Sequence, residues 1–147
     1  MVPDATGGSR RAQVAAQSKT RSATRSGPPV PEGPPGNRAS EPSILILTTL
    51  PERAAAEALA RQLLMTRLAA CIQIGATAQS LYHWRGQIET ADEIPLAIKT
   101  RARLYSRVEE AIRRHHPYEL PEIIAVPITC GLPAYLDWIA AETEAPA

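Results

Sequence analysis

Five side chains in this sequence could bind a soft or borderline metal ion: the imidazoles of His83, His115 and His116 and the thiols of Cys71 and Cys130. Imidazole and thiolate are the donors that copper prefers over carboxylate. Their spacing is less direct than their type. On a regular helix, adjacent side chains diverge by about 100°, so His115 and His116 reach one metal only if the last helical turn opens. His115 also keeps phase with Leu104, Val108, Ala111 and Ile112, which reads as a core-facing histidine with a hydrogen bond. His116, further round, then faces a cleft. Cys71 reads as a small buried hydrophobe. His83 alternates with Tyr82 and Trp84 and reads as a surface residue on the opposite sheet face from them. Two cysteines exclude a four-thiolate zinc or iron–sulfur centre within one chain and a disulfide-dense secreted scaffold. Gly75, Gly86 and Gly131 stand alone, so no phosphate-cradling loop is visible. There is no Gly-x-Ser-x-Gly elbow, and no nucleophile–base pair follows from spacing. An enzyme is therefore not expected.

The elements that must position these groups alternate between two periodicities. Ser43–Leu50 (SILILTTL) is a short run of apolar and Thr residues, a buried strand by length and branching. Thr49-Leu50-Pro51-Glu52 fits a capping box, with Pro tolerated in the first turn. From Arg53 the apolar residues Ala56, Leu59, Ala60, Leu63, Leu64 and Leu68 recur at helical spacing. Residues 70–84 are extended, Arg85-Gly86-Gln87 is a turn, and Glu93–Thr100 (EIPLAIKT) returns as a strand whose Pro95 calls for an edge or a bulge. The second helix ends at His116, because Pro117 disfavours helical geometry in the residue before it. Glu122–Thr129 is another strand, and Pro133–Ala141 a short closing helix.

This order, β-α-β-β-α-β plus a C-terminal helix, predicts an α+β fold of the ferredoxin-like, split βαβ kind. Right-handed crossovers put the two main helices on one face of an antiparallel sheet and leave the other face open. The strands are apolar on both sides, so that second face requires a partner, and an oligomer follows. Ile72, Ile74, Ile98 and Val126 are assigned to it.

Composition divides the chain near Pro42. The 147 residues carry 16 Lys and Arg against 15 Asp and Glu, which gives no whole-chain basis for nucleic-acid binding. RNA recognition on this fold also needs paired aromatics on central strands, where this chain has Ile, Leu, Val and Ala. No apolar run reaches the roughly 18 residues of a membrane-spanning helix. Residues 1–42 hold seven of the 14 prolines and no aromatic residue, a composition that predicts a disordered tail before a domain at 43–147. Between Gly7 and Val30 there is no acid, only a background rich in Arg and Ser. An organelle transit peptide fits that pattern, as do a solvated tail and an upstream start codon. The apolar stretch of a secretory signal is absent from the sequence.

Five blocks, in order, carry a resemblance: LAACIQI (68–74), SLYHWRGQIE (80–89), DEIPLAIKT (92–100), HHPYELPEI (115–123) and PAYLDWI (133–139). Together they resemble the CutA divalent-cation tolerance family over residues 43–141 and not over the tail. The resemblance implies a ferredoxin-like fold similar to the PII signal transducers, packed as a homotrimer with its sheets inward. It also implies a role in tolerance to copper and other divalent metal ions, a cytoplasmic location as in bacteria, and no settled enzymatic activity. In copper-binding members the HHP histidines are paired with a cysteine near the end of the first strand. His115 and His116 match those positions, but the cysteine position holds Thr48. Cys130, from the end of the last strand, is the candidate substitute, so the expected metal set is His115, His116 and Cys130 with weak affinity for Cu2+.

The same blocks contain Tyr82, Trp84, Glu93, Lys99, His116 and Tyr118. In the family, residues of these blocks meet in clefts between trimer subunits. By this resemblance Lys99 would bind a small anion, Glu93 would pair with Lys99, and the aromatic rings would stack on a planar ligand. An interface ion pair with aromatic packing is the structural alternative. Two functions follow: a metal-responsive trimer acting through His115 and His116, and a PII-like interaction module with an anion in its interface cleft.

Overall fold

Alternation along β1 (Ser43–Leu50) defines the centre of the fold. Ile44, Ile46, Thr48 and Leu50 are buried, while Leu45, Leu47 and Thr49 are half-buried. The computed structural model describes residues 41–145. The disorder and the targeting signal expected for the tail lie outside the described residues, apart from Glu41 and Pro42. These two contact the domain: the Pro42 carbonyl accepts the Ala102 N–H at 2.8 Å, and the Glu41 carboxylate meets Arg103 at 2.8 Å and Arg101 at 3.4 Å.

After β1 come α1 (Arg53–Met65), β2 (Cys71–Ile74), β3 (Ala78–Trp84), β4 (Gln87–Arg101), a single 3-10 turn (Ala102–Leu104), α2 (Tyr105–His115), β5 (Ile123–Pro127) and α3 (Pro133–Glu142). The sheet order is β2-β4-β1-β5, with every pair antiparallel and β3 pairing the first half of β4. This is the expected ferredoxin-like arrangement with its C-terminal helix. The extended stretch at 70–84 is two strands rather than one, and β4 begins six residues before the expected Glu93. The capping box at Thr49 does not form. Thr49 stays in β1, and α1 starts after Glu52, which makes no side-chain cap bond.

The break between β2 and β3 has a local cause. Register places Pro95 of β4 beside Gly75, whose N–H donates to the Pro95 carbonyl at 2.8 Å. Proline cannot return that bond, so the Gly75 carbonyl accepts from the Arg53 guanidinium at 2.7 Å instead. A Cβ on Gly75 would lie 2.7 Å from the Pro95 side chain, so only glycine permits this approach. Pro95 therefore sits inside the sheet, where one partner strand ends and the next begins. Between β3 and β4 the two-residue turn has positive φ at both Arg85 (48°) and Gly86 (82°), the signature of a type I′ hairpin.

The two sheet faces differ sharply. Ile46, Leu96 and Ile98 are at most 1% exposed and pack with Leu59, Leu63, Val108 and Ile112 of α1 and α2. Ile98 pairs with Ile46 and Ile72, and so points into this helix-covered core, against which Ile72 and Ile74 are also packed. Of the four residues assigned to the outer face, Val126 alone is there: it pairs with Leu45 and is 44% exposed. Side chains alternate with a period of two, so an offset of one register position reverses the face. The outer face is also partly covered from within the chain. Arg101 donates to the Thr143 carbonyl at 2.7 Å just beyond α3, Tyr135 of α3 lies beside Cys71, and Ile139 is wholly buried. Among the described residues, no helix is long and apolar enough to cross a membrane.

Candidate functional site

The end of α2 places the paired histidines, and Pro117 separates their fates. His116 cannot stay helical before a proline; its backbone is extended, with φ −85° and ψ 130°. That swing takes its ring out of helical phase and buries it to 8% exposure. Nδ1 accepts the Tyr118 N–H at 3.1 Å, so Nε2 carries the proton and donates to the Thr49 carbonyl at 2.6 Å. Both ring nitrogens are engaged. His115 remains on the helix and is exposed; its Nδ1 donates to the Ala111 carbonyl at 2.8 Å, which leaves an Nε2 lone pair without a partner among the described residues. The helical phase expected His115 inward. The observed order is the reverse: His115 is exposed at the end of α2, and His116, extended before Pro117, leaves helical phase and is buried.

Cys130 is not part of this constellation. Its thiol is exposed, on the segment that follows β5. The Ile128 N–H donates to the Ser43 carbonyl at 3.0 Å, at the start of β1, whereas His116 binds Thr49 near its end. Six strand residues separate those points by about 20 Å. Thr48, at the expected cysteine position, is 1% exposed, and its hydroxyl has no partner among the described residues. Among the described residues no three His, Cys, Asp or Glu side chains gather as metal ligands. The donors present do not fit a built copper centre within one chain.

Of the six residues named for the cleft, Tyr82, Trp84, Glu93 and Tyr118 converge. Register sets Tyr82 and Trp84 of β3 on the same face as Glu93 of β4. The 117–122 turn closes over them, and the resulting cleft has a volume of about 730 Å³. Glu93 is 6% exposed. The Tyr118 hydroxyl lies against its carboxylate, and burial, then Glu93 and Tyr82, push the Tyr118 phenol above its ordinary value. At the rim, the Arg85 guanidinium stands 5.7 Å from the centre of the Trp84 ring and 3.8 Å from Glu119.

Lys99 is elsewhere. It donates to the Gln73 side chain at 2.5 Å and lies 3.9 Å from the half-buried Cys71 thiol. Six residues of β4 put it about 20 Å from Glu93, so the two do not pair within one chain. The cleft lining therefore carries three acids, Glu93, Glu119 and Glu122, and no Lys or Arg among the described residues. Sequence reasoning missed Glu119 and Glu122, which also line it, as does His83, read there as a surface residue and exposed here. The signal was present: Pro117 and Pro121 bracket Tyr118-Glu119-Leu120, and two prolines so close mark a rigid turn.

Comparison with known proteins matches this architecture. The family model described as CutA1 divalent ion tolerance protein matches residues 44–142. "Protein CutA, chloroplastic" of Arabidopsis thaliana is 39% identical over 103 residues, which is 70% of this chain and 57% of that protein. The chain thus spans little more than half the length of that plant relative. "Divalent-cation tolerance protein CutA" of Escherichia coli is 37% identical over 99 residues, 67% of this chain and 88% of that protein. The crystal structure of CutA from Xylella fastidiosa superposes with a TM-score of 0.68 at 44% identity, covering 69% of this chain and 98% of that one. With the fold, the five sequence blocks and the family match in agreement, the chain belongs to the CutA1 divalent ion tolerance protein family.

Proposed function

We propose that the protein serves divalent-cation tolerance as a homotrimer, by binding rather than by catalysis, and that it engages Cu(II) weakly through His115. One observation carries the assignment of the residue: of the two HHP histidines, His115 alone keeps a ring nitrogen free, while both nitrogens of His116 hold the turn together. A single exposed imidazole is a weak site, and a trimer supplies it three times. The trimer is supported by apolar surface on the outer sheet face. Ile124 and Val126 are 48% and 44% exposed beside half-buried Leu45 and Leu47, and covering them would contribute about 25 cal/mol per Å². The cytoplasm is the compartment proposed, and cell fractionation tests it against the chloroplast named for the Arabidopsis relative. The anion-binding alternative is less favoured: within one chain Lys99 lies outside the cleft, so its cation would have to come from a neighbouring subunit.

Calorimetric titration with Cu(II) tests the metal reading. His115→Ala should abolish the binding isotherm, while His116→Ala and Cys130→Ala should keep it. Loss of binding in Cys130→Ala with both histidines intact would overturn the assignment. Sedimentation velocity tests the assembly: a soluble, folded single chain would end the trimer reading.

A further inference from the structure

We propose that Cys71 and Lys99 form a redox-sensitive modification site, in which a hydroperoxide oxidises the thiol and the lysine amine then closes a reversible sulfur–nitrogen link between β2 and β4. Backbone register sets the pair. Cys71 lies directly opposite Lys99 across the two strands, where side chains start about 5 Å apart. Lys99 Nζ comes to 3.9 Å from Cys71 Sγ. Gln73, two residues along on the same face of β2, accepts from Nζ at 2.5 Å and so helps to hold it. From α3 the Tyr135 hydroxyl hydrogen-bonds the same sulfur, which leaves the thiol between a phenol and an ammonium. All of these contacts lie within one chain. Further subunits packed on this sheet face leave β2 and β4 in the same register.

The pairing of groups decides the product. An isolated thiol climbs from sulfenic to sulfinic and sulfonic acid, whereas a nitrogen within reach can divert it at the first rung as a sulfenamide. A lysine amine is a better nucleophile than the backbone nitrogen that usually closes such a link, and its flexible four-carbon stem can cross the remaining gap. The atoms balance. Sγ attacks one oxygen of hydrogen peroxide, the O–O bond breaks, and the second oxygen leaves as water with the thiol proton. Lys99 Nζ passes one ammonium proton to solvent and places its lone pair on Sγ. The S–N bond forms, the S–O bond breaks, and the hydroxyl leaves as water with another proton from Nζ. Sulfur loses two electrons and peroxide gains them. The linked nitrogen is neutral, so oxidation removes a positive charge from this sheet face. Two external thiols reverse the link, returning thiol and amine and leaving as their own disulfide. Neither His115 nor the cleft takes part, so this site and the copper reading stand or fall separately.

The test is hydrogen peroxide treatment of the full chain as it assembles, followed by tryptic digestion without thiols and mass spectrometry. The peptide carrying Cys71 should appear joined to the one carrying Lys99, two hydrogen atoms lighter than their sum, with cleavage after Lys99 blocked. Dithiothreitol should separate them and restore cleavage. Cys130, exposed after β5, is the internal comparison and should climb to sulfinic and sulfonic acid. Lys99→Arg keeps the charge but supplies no amine; it should abolish the link and send Cys71 up the same ladder. Cys71→Ser should restore cleavage after Lys99 under peroxide, whatever its effect on assembly. The proposal is overturned if Cys71 in the wild-type chain reaches sulfinic acid with Lys99 unlinked. It is equally overturned if Cys71 stays a thiol at peroxide levels that oxidise Cys130, or if blocked cleavage persists in Cys71→Ser.

Discussion

The two halves of β4 obey one periodicity and end in opposite environments. From Ile94 to Arg101 the strand lies between β1 and β2 with α1 and α2 above it, and Ile94, Leu96, Ile98 and Thr100 are at most 5% exposed. From Gln87 to Glu93 it pairs with β3 alone, and Ile88 is 70% exposed. Alternation buries a side chain only where a second layer receives it. Where α1 and α2 are missing, the same alternation presents Tyr82, Trp84 and Glu93 together on the side that the 117–122 turn closes. The change of role falls at Pro95, where β4 loses β2 and gains β3.

The largest effect that sharpens this contrast is at Ile98. Ile98→Ala should cost about 2–5 kcal/mol in denaturant unfolding, since its cavity opens in a packed core. Ile88→Ala should stay within about 0.5 kcal/mol of wild type. A cost at Ile88 comparable to that at Ile98 would break the comparison and locate an intersubunit contact on the hairpin.

A middle-sized effect belongs to the junction. Gly75→Ala should cost about 1–3 kcal/mol, because the new methyl must displace Pro95 or the backbone beside it. A neutral outcome in thermal unfolding would show that the β2–β3 break tolerates movement.

The smallest effect is electrostatic and concerns Tyr118. Its raised value means that the folded state holds the phenolic proton more tightly than the unfolded chain does. This stabilising contribution is complete below the ordinary phenol value of about 10 and is lost as pH rises through the higher folded value. Glu93→Gln should move the ionisation part of the way back toward the ordinary value, read by ultraviolet titration against the unchanged backgrounds of Tyr105 and Tyr135. An unmoved titration would remove Glu93 from the surroundings of Tyr118.

Much of the fold was legible from local pattern. The period of two in SILILTTL, the three-and-four spacing after Arg53 and Tyr105, and the stop imposed by Pro117 are properties of neighbouring residues, and they placed the elements in ferredoxin-like order. The aromatic part of the cleft was legible too, because Tyr82 and Trp84 share a face by alternation. Other features depend on which residues become neighbours across the sheet. Ile98 reads as apolar under either assignment, and register alone turned it toward the helices.

Sequence by itself determined the order of strands and helices, a turn at Arg85–Gln87 and the family, since each rests on short-range spacing or on blocks of matching residues. Tertiary structure decided which histidine is free, how far Lys99 and Cys130 lie from their expected partners, and that Glu93 is buried beneath Tyr118. The physical reason is that hydrogen-bond partners, burial and distance along a strand are relations between segments far apart in the chain. A residue's type states what it can bind, and the packing around it states what is left to bind.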